Sequence, residues 1–185
     1  RGRPMSVASE ARGGVARFSR TCPARPDWPD RDRFVLSAGH GSMLLYALLY
    51  LTGYEAMTLD ELRNFRQLGS RTPGHPEYRL TPGVETTTGP LGQGLASAVG
   101  MALAERMAAA RFGEGLVDHH TYVLVGDGCL MAGISHAAAS FAGHMALSTP
   151  LLLFDDPHLT THGATPLPVP PDSPPRSPPP RPAAP

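Results

Sequence analysis

Two short, wholly apolar segments separated by about one helix of sequence constrain the fold most strongly. Residues 122–125 and 151–154 are continuous apolar runs, and acidic residues, Asp127 and Asp155, follow them. A continuous apolar run is typical of a strand that is buried on both faces. Residues 134–147, between the two runs, predict a helix. The sequence therefore predicts an α/β fold, a doubly wound parallel sheet with helices on both faces.

The segments upstream continue this alternation of strand and helix patterns. Thr58 and Glu61 form a capping-box pattern, in which the threonine oxygen accepts from an amide of the first turn and the glutamate reaches back. Small and apolar residues recur at helical spacing after Gly94, which indicates a helix packed closely on both sides. The predicted elements are a strand over residues 34–37, a helix over 42–52, a helix from 58 to about 67, and a helix over 94–110.

Composition divides the chain into three zones. Residues 1–31 mix Arg, Gly, Ala and Pro without apolar periodicity and predict an irregular N-terminal segment. Residues 32–163 carry the periodic signal and predict one α/β domain. Residues 164–185 are proline-rich and bury little apolar surface, so they predict a disordered or polyproline-like tail.

Charge and cysteine content narrow the possible partners and compartments. The formal net charge is +0, so we expect no nucleic-acid or membrane-surface partner. No apolar run approaches the roughly 20 residues of a membrane span. Cys22 and Cys129 form neither a C-x-x-C pair nor a zinc pattern, so we expect a reducing compartment, the cytoplasm or an organelle interior.

Gly126-Asp127-Gly128 follows one predicted strand, and Asp155-Asp156-Pro157 follows the next. About thirty residues separate Asp127 from Pro157, which fits one strand–helix–strand unit and brings the two strand ends side by side. Hard divalent cations take oxygen ligands such as the Asp127 carboxylate and backbone carbonyls. A Gly-Asp-Gly turn alone is also typical of an aspartate that caps the next helix.

The segment Gly89-Pro90-Leu91-Gly92-Gln93-Gly94 opens the long helix. Glycines let backbone amides approach a ligand closely, and a helix N-terminus favours negative charge. The segment has neither the Lys-Ser/Thr of a phosphate-binding Walker loop nor the dinucleotide-binding spacing. It is compatible with an anionic cofactor or with a simple helix-start turn.

Two histidines lie in glycine-containing loops. His40 follows the first predicted strand between two glycines, and His75 lies in the proline-braced segment 72–77. Imidazole titrates near neutral pH, so both residues are candidates for proton transfer or phosphate contact. His119, His120, His136, His144, His158 and His162 lack such settings, and we expect ordinary surface or packing residues there.

Together these motifs resemble the transketolase family. The resemblance covers roughly residues 23–163, with several motifs in the family's order and spacing. The segments that carry it are residues 26–42, 65–67, 70–77, 81–94 and 126–131.

The resemblance implies a fold, a reaction and a set of site residues. It implies the thiamine-diphosphate-binding fold and the transfer of a two-carbon ketol unit between sugar phosphates by a homodimer. The cofactors would be thiamine diphosphate and Mg²⁺ or Ca²⁺. The implied catalytic residues are His40 and His75, the implied metal ligands are Asp127 and the carbonyl of Leu159, and the implied cofactor contacts are Gly89, Pro90, Leu91, Gly126, Asp127 and Gly128.

The chain also departs from the family pattern. Pro157 stands where the family has a metal-binding asparagine, and proline has no side-chain oxygen, so we expect weakened metal binding. The family's first histidine loop falls before Arg1, and the resemblance stops beyond Gly163, so we expect an incomplete domain that is inactive alone. The alternatives are a non-catalytic, transketolase-like interaction or regulatory protein, or another thiamine-diphosphate enzyme such as a dehydrogenase component.

Overall fold

A computed structural model describes residues 20–155, 159–160 and 163–164. Its central feature is a parallel sheet of three strands in the order β1-β2-β3. The strands are β1 (Arg33–Leu36), β2 (Thr121–Gly126) and β3 (Pro150–Asp155). The predicted parallel sheet is therefore confirmed, and each predicted strand is found within one or two residues of its expected position.

Five helices and a short hairpin surround or follow the sheet in the described residues. A 3-10 turn over Gly39–Gly41 follows β1. The helices are α1 (Ser42–Thr52), α2 (Leu59–Arg63), α3 (Gln93–Phe112), α4 (Asp127–Leu130) and α5 (Gly133–His144). The hairpin pairs β4 (Leu159–Thr160) with β5 (Gly163–Ala164) antiparallel.

Helices cover both faces of the sheet because successive strand residues point to opposite sides. Phe34, Leu36, Tyr122 and Leu124 pack against the buried leucines of α1. Val35, Val123 and Val125 face the other way and pack against Leu95 and Ala98 of α3. The apolar runs of β1 and β2 are thereby explained, since neither face of these strands is open to water. The prediction that β3 is buried on both faces is wrong, because Leu152 and Phe154 are 51% and 43% exposed and the described elements leave much of that face open to water.

The N-terminal cap of α2 matches its prediction only in part. Thr58 Oγ1 accepts a hydrogen bond from the Glu61 amide at 3.2 Å, as a capping box requires. The Glu61 carboxylate does not reach back to Thr58 but accepts from the Arg71 amide at 2.7 Å. Thr58 therefore caps the helix as predicted, while Glu61 instead bonds α2 to the loop that carries His75.

Two helices end earlier than predicted because long-range contacts turn the chain. α2 ends at Arg63 rather than near Gln67, and Arg66 adopts a left-handed conformation with its amide donating to Thr72 O at 2.9 Å. α5 ends at His144 rather than Leu147, where Ala146 has φ 48°. The Arg106 guanidinium of α3 donates to the carbonyls of Met145 and Ala146 and so caps α5.

Some sequence predictions concern residues outside the described part of the chain. The predicted tail lies outside it after Ala164, as do residues 1–19 of the predicted N-terminal segment and Pro157. Residues 20–31 form turns. Among the described residues, no helix combines the length and apolar character that crossing a bilayer requires.

A buried ion pair joins the segment before β1 to the segment before α3. Arg31 and Glu85 form a two-pronged contact in which Arg31 Nη2 donates to Glu85 Oε2 at 3.1 Å. Their side chains are only 10% and 8% exposed. Removing one member of a buried pair leaves an uncompensated charge, which is strongly destabilising.

We predict that Glu85→Gln lowers the free energy of unfolding by about 3 kcal/mol, because it strands the Arg31 guanidinium. Urea denaturation followed by circular dichroism measures this change. The matched control is Asp60→Asn, which breaks the exposed Asp60–Arg63 pair (3.0 Å) and should change stability by no more than about 0.5 kcal/mol. Equal effects of the two substitutions would contradict the prediction.

Candidate functional site

The candidate site is at the carboxyl edge of the sheet, where ligands bind in folds of this kind. Leu36 of β1 lies beside Leu124, and Gly126 of β2 lies beside Asp155 of β3. The parallel register therefore places the 3-10 turn that holds His40 and the turn that holds Asp127 at the same edge. The strand ends meet there as the sequence predicts.

The His40 turn contacts the start of the glycine segment directly. A Cβ placed on Gly39 would lie 2.7 Å from Thr88 Oγ1 and 2.8 Å from the Gly89 amide nitrogen. Only glycine permits this approach, because Cβ atoms in proteins are essentially never found this close to neighbouring atoms. The Thr88 hydroxyl is enclosed there and has no hydrogen-bond partner among the described residues.

Side chains of α1 hold the loop that presents His75. Ser42 Oγ donates to Gly74 O at 2.8 Å, and Tyr46 Oη donates to Pro73 O at 2.9 Å. Burial raises the pKa of the Tyr46 phenol, which therefore stays protonated as a donor. The loop is thus braced from the core, while the imidazole of His75 itself is exposed.

His75 also lies beside the glycine segment. Its ring is 3.4 Å from the position that a Cβ on Gly89 would occupy, an ordinary contact distance. The Thr88 amide donates to Pro76 O at 3.2 Å and links the two loops through the backbone. The structure therefore brings His75, Gly89 and the His40 turn together.

The glycine segment connects this cluster to the Asp127 turn. Gly92 has φ 83°, and a Cβ on it would lie within 2.9 Å of Ile134, Ser135 and Ala132. Ser135 Oγ in turn donates to Cys129 O at 2.6 Å within the Asp127 turn. Pro90 and Leu91 lie exposed between these contacts.

Asp127 carries an unsatisfied buried oxygen. Its Oδ1 accepts from the Gly128 amide at 2.8 Å, while Oδ2 is enclosed and has no partner within the described residues. A buried carboxylate oxygen without a donor is costly unless a cation or a hydrogen bond compensates for it. Asp127 is the first residue of α4, and its side chain caps neither this helix nor α5, so the helix-capping alternative is wrong. Its free oxygen fits a divalent cation.

The second predicted metal ligand is the backbone carbonyl of Leu159. β4, which starts at Leu159, lies against α4, which starts at Asp127. A backbone carbonyl from that strand is the kind of oxygen that completes a hard cation's shell. Among the described residues, no group of three or more His, Cys, Asp or Glu side chains lies close enough together to hold a metal ion.

Sequence reasoning missed the residues that hold the site in place. Ser42 and Thr88 lie in segments that carry the family resemblance but were given no role, and Tyr46 lies in a helix predicted only as an apolar core element. Ser37 was missed too: it is fully buried, and its Oγ accepts from the Leu95 amide at 3.1 Å. No local pattern reveals these partners, because each hydrogen bond joins residues far apart in sequence.

Comparison with known proteins identifies the family. The family model described as "Transketolase, thiamine diphosphate binding domain" matches residues 1–176. The chain belongs to the transketolase family. The match therefore begins before, and ends after, residues 23–163, over which the sequence resemblance was noted.

Individual transketolases support this assignment. The chain is 60% identical over 162 residues to transketolase from Cereibacter sphaeroides, covering 88% of this chain and 25% of that protein. The structure of transketolase from Leishmania mexicana matches with TM-score 0.85 and 51% identity, covering 88% and 25%. The Pichia stipitis transketolase complex with sedoheptulose-7-phosphate matches with TM-score 0.77 and 46% identity, covering 88% and 23%. The chain thus spans about a quarter of the length of these transketolases.

We predict that Gly39→Ala displaces the His40 turn from the glycine segment and lowers stability by about 1–3 kcal/mol, the usual range for overpacking. Thermal unfolding of the two glycine variants measures it. Gly41→Ala is the matched control, because a Cβ there meets nothing within 4 Å and its φ is −85°. A Gly39→Ala chain as stable as Gly41→Ala would show that this close approach is not required.

Proposed function

We propose that the chain forms the part of a transketolase that binds thiamine diphosphate through a divalent cation. The whole enzyme would transfer a two-carbon ketol unit between sugar phosphates. The observation that carries the proposal is the unpartnered, buried Oδ2 of Asp127 at the carboxyl edge of the sheet. A helix-capping role does not account for this residue, because the N-cap of α4 is Gly126 and no side chain caps that helix.

Each site residue has a role that fits its surroundings. Asp127 and the carbonyl of Leu159 would hold Mg²⁺ or Ca²⁺, with backbone groups of Gly126 and Gly128 beside the diphosphate. Gly89, Pro90 and Leu91 would border the cofactor, since the exposed part of that segment lies between its two anchored glycine contacts. When bound, thiamine diphosphate supplies the electron sink for the two-carbon unit.

His40 and His75 would act on the substrate. The exposed ring of His75 stands beside Gly89 on a loop fixed by Ser42 and Tyr46, so it is held in place and yet reachable. His40 extends from the adjoining turn. Such placed imidazoles can bind substrate hydroxyls or move protons at them near neutral pH.

The relatives support sugar phosphates as the substrate class. The Pichia stipitis transketolase named above has been solved with sedoheptulose-7-phosphate.

We also propose a homodimer in a reducing compartment such as the cytoplasm, since the intact family is dimeric and both cysteines are free thiols. Leu152 and Phe154 of β3 are 51% and 43% exposed, so one face of this strand is left largely uncovered by the described residues.

A second candidate is a transketolase-like protein that keeps the fold without the chemistry. Pro157 favours it, because proline replaces the family's asparagine and offers the metal no side-chain oxygen. A transketolase assay on the purified chain tests the second candidate in one direction only. Turnover above background would exclude the non-catalytic role, and we expect none from this chain alone.

We predict that Asp127→Asn weakens metal-dependent binding of thiamine diphosphate at least about tenfold, since even outer-shell changes at metal sites cost about 10–100-fold in affinity. Isothermal titration of the cofactor at fixed Mg²⁺ measures the affinity. Asp60→Asn, on an exposed surface of α2, is the matched control and should leave binding unchanged. Unchanged binding in Asp127→Asn would remove this residue from the metal site.

We predict that Pro157→Asn strengthens the same metal-dependent binding, because the amide oxygen supplies the ligand that proline lacks. The comparison uses the unsubstituted chain, with Mg²⁺ and then Ca²⁺ in the titration. Equal cofactor affinities of the two chains would show that position 157 does not limit metal binding.

A further inference from the structure

A cavity of about 420 Å³ lies at the opposite end of the sheet from Asp127. Arg33, the first residue of β1, and His119, just before β2, line it, which places it at the amino-terminal ends of the strands. Its volume is within the range of small-molecule sites, about 300–1,000 Å³. The apolar part of its wall comes from α3 and the loop that follows, chiefly Met101, Ala108 and Leu116.

Glu105 is the polar residue of α3 that faces this cavity. It is only 6% exposed and lines both the cavity and an adjoining cleft of about 530 Å³. Within the described part of the chain, no side chain or backbone amide donates a hydrogen bond to its carboxylate, and no cation pairs with it. The Glu105 oxygens are not among the enclosed, unpartnered side-chain atoms of the described residues, so the carboxylate opens to the cavity or the cleft and is available to a ligand.

The neighbouring charged groups do not compensate Glu105. Asp30 accepts from the Asp118 amide at 2.8 Å and lies 3.3 Å from His119 Nδ1. Although burial acts to raise the pKa of Asp30, these hydrogen bonds hold it below the ordinary value.

Arg33 is already engaged elsewhere. Its Nη2 donates to Pro29 O at 2.9 Å, and its Nη1 lies 3.9 Å from the carboxylate of Glu85, which does not line the cavity. Among the described residues no cation pairs with Glu105, so the polar end of the cavity presents its carboxylate next to an apolar wall.

We propose that this cavity is a binding site for a small organic cation, an ammonium group on an apolar body about the size of one aromatic ring. The ammonium would donate to the Glu105 carboxylate, and the apolar body would lie against Met101, Ala108 and Leu116. The site is separate from the cofactor edge and does not depend on the proposed transketolase function.

Titration of the full chain with benzylammonium, and separately with its neutral analogue benzyl alcohol, tests the proposal. Amide chemical shifts in two-dimensional NMR report the affinity and the location of binding. We expect saturable shifts at Ala108, Leu116 and His119, with benzylammonium binding at least about tenfold more tightly than benzyl alcohol, the usual margin of a charge-assisted hydrogen bond. Thiamine diphosphate with Mg²⁺ should not displace it.

Two variants and a control make the test specific. Glu105→Gln keeps the side-chain shape and should remove the preference for the cation, and Ala108→Leu should weaken both probes by filling the cavity. Glu114→Gln, on an exposed residue that lines only the adjoining cleft, should bind as the unsubstituted chain does. Equal affinity for the two probes in the unsubstituted chain, or no saturable shift at these residues, would overturn the proposal even if a variant fails to fold.

Discussion

The structure depends on one close approach, between the start of α3 and the end of β1. A Cβ on Gly94 would lie 2.5 Å from Ser37 Cα, so no other residue fits there without displacing backbone. Ser37 Oγ accepts from the Leu95 amide and thereby receives one of the free donors at the helix N-terminus. The contact sets α3 on the sheet, and through Gly92 and Gly89 it sets the distance between the Asp127 turn and the histidine loops.

Local sequence predicted the elements whose causes are local. The apolar runs of β2 and β3, the helix closed by Gly53 and the acidic turn at Asp127 each follow from a pattern within a few residues. Prediction failed where a distant residue decides the outcome. α2 ends early because Arg66 bonds to Thr72, and Glu61 turns to Arg71 instead of closing its own cap.

The same distinction applies to the candidate site. Asp127, His40, His75 and the Gly89 segment could be proposed from the sequence because each lies in a recognisable motif. Tyr46 and Thr88 could not, since an apolar helix and a threonine run give no sign of the loop that they contact. Glu105 shows the limit most clearly: on the helical pattern it is a polar residue like any other, and only the packed structure shows that it is 6% exposed and lines a cavity.

The bracing of the His75 loop by Ser42 and Tyr46 has a consequence for how this domain can change over time. Both residues belong to the helix that packs the main core cluster, and Tyr46 is itself fully buried. A shift in that core therefore moves two carbonyl anchors of the histidine loop with it. Changes in core packing and changes in the position of the His75 loop are therefore not independent, and a lineage that relaxes the first also loosens the second.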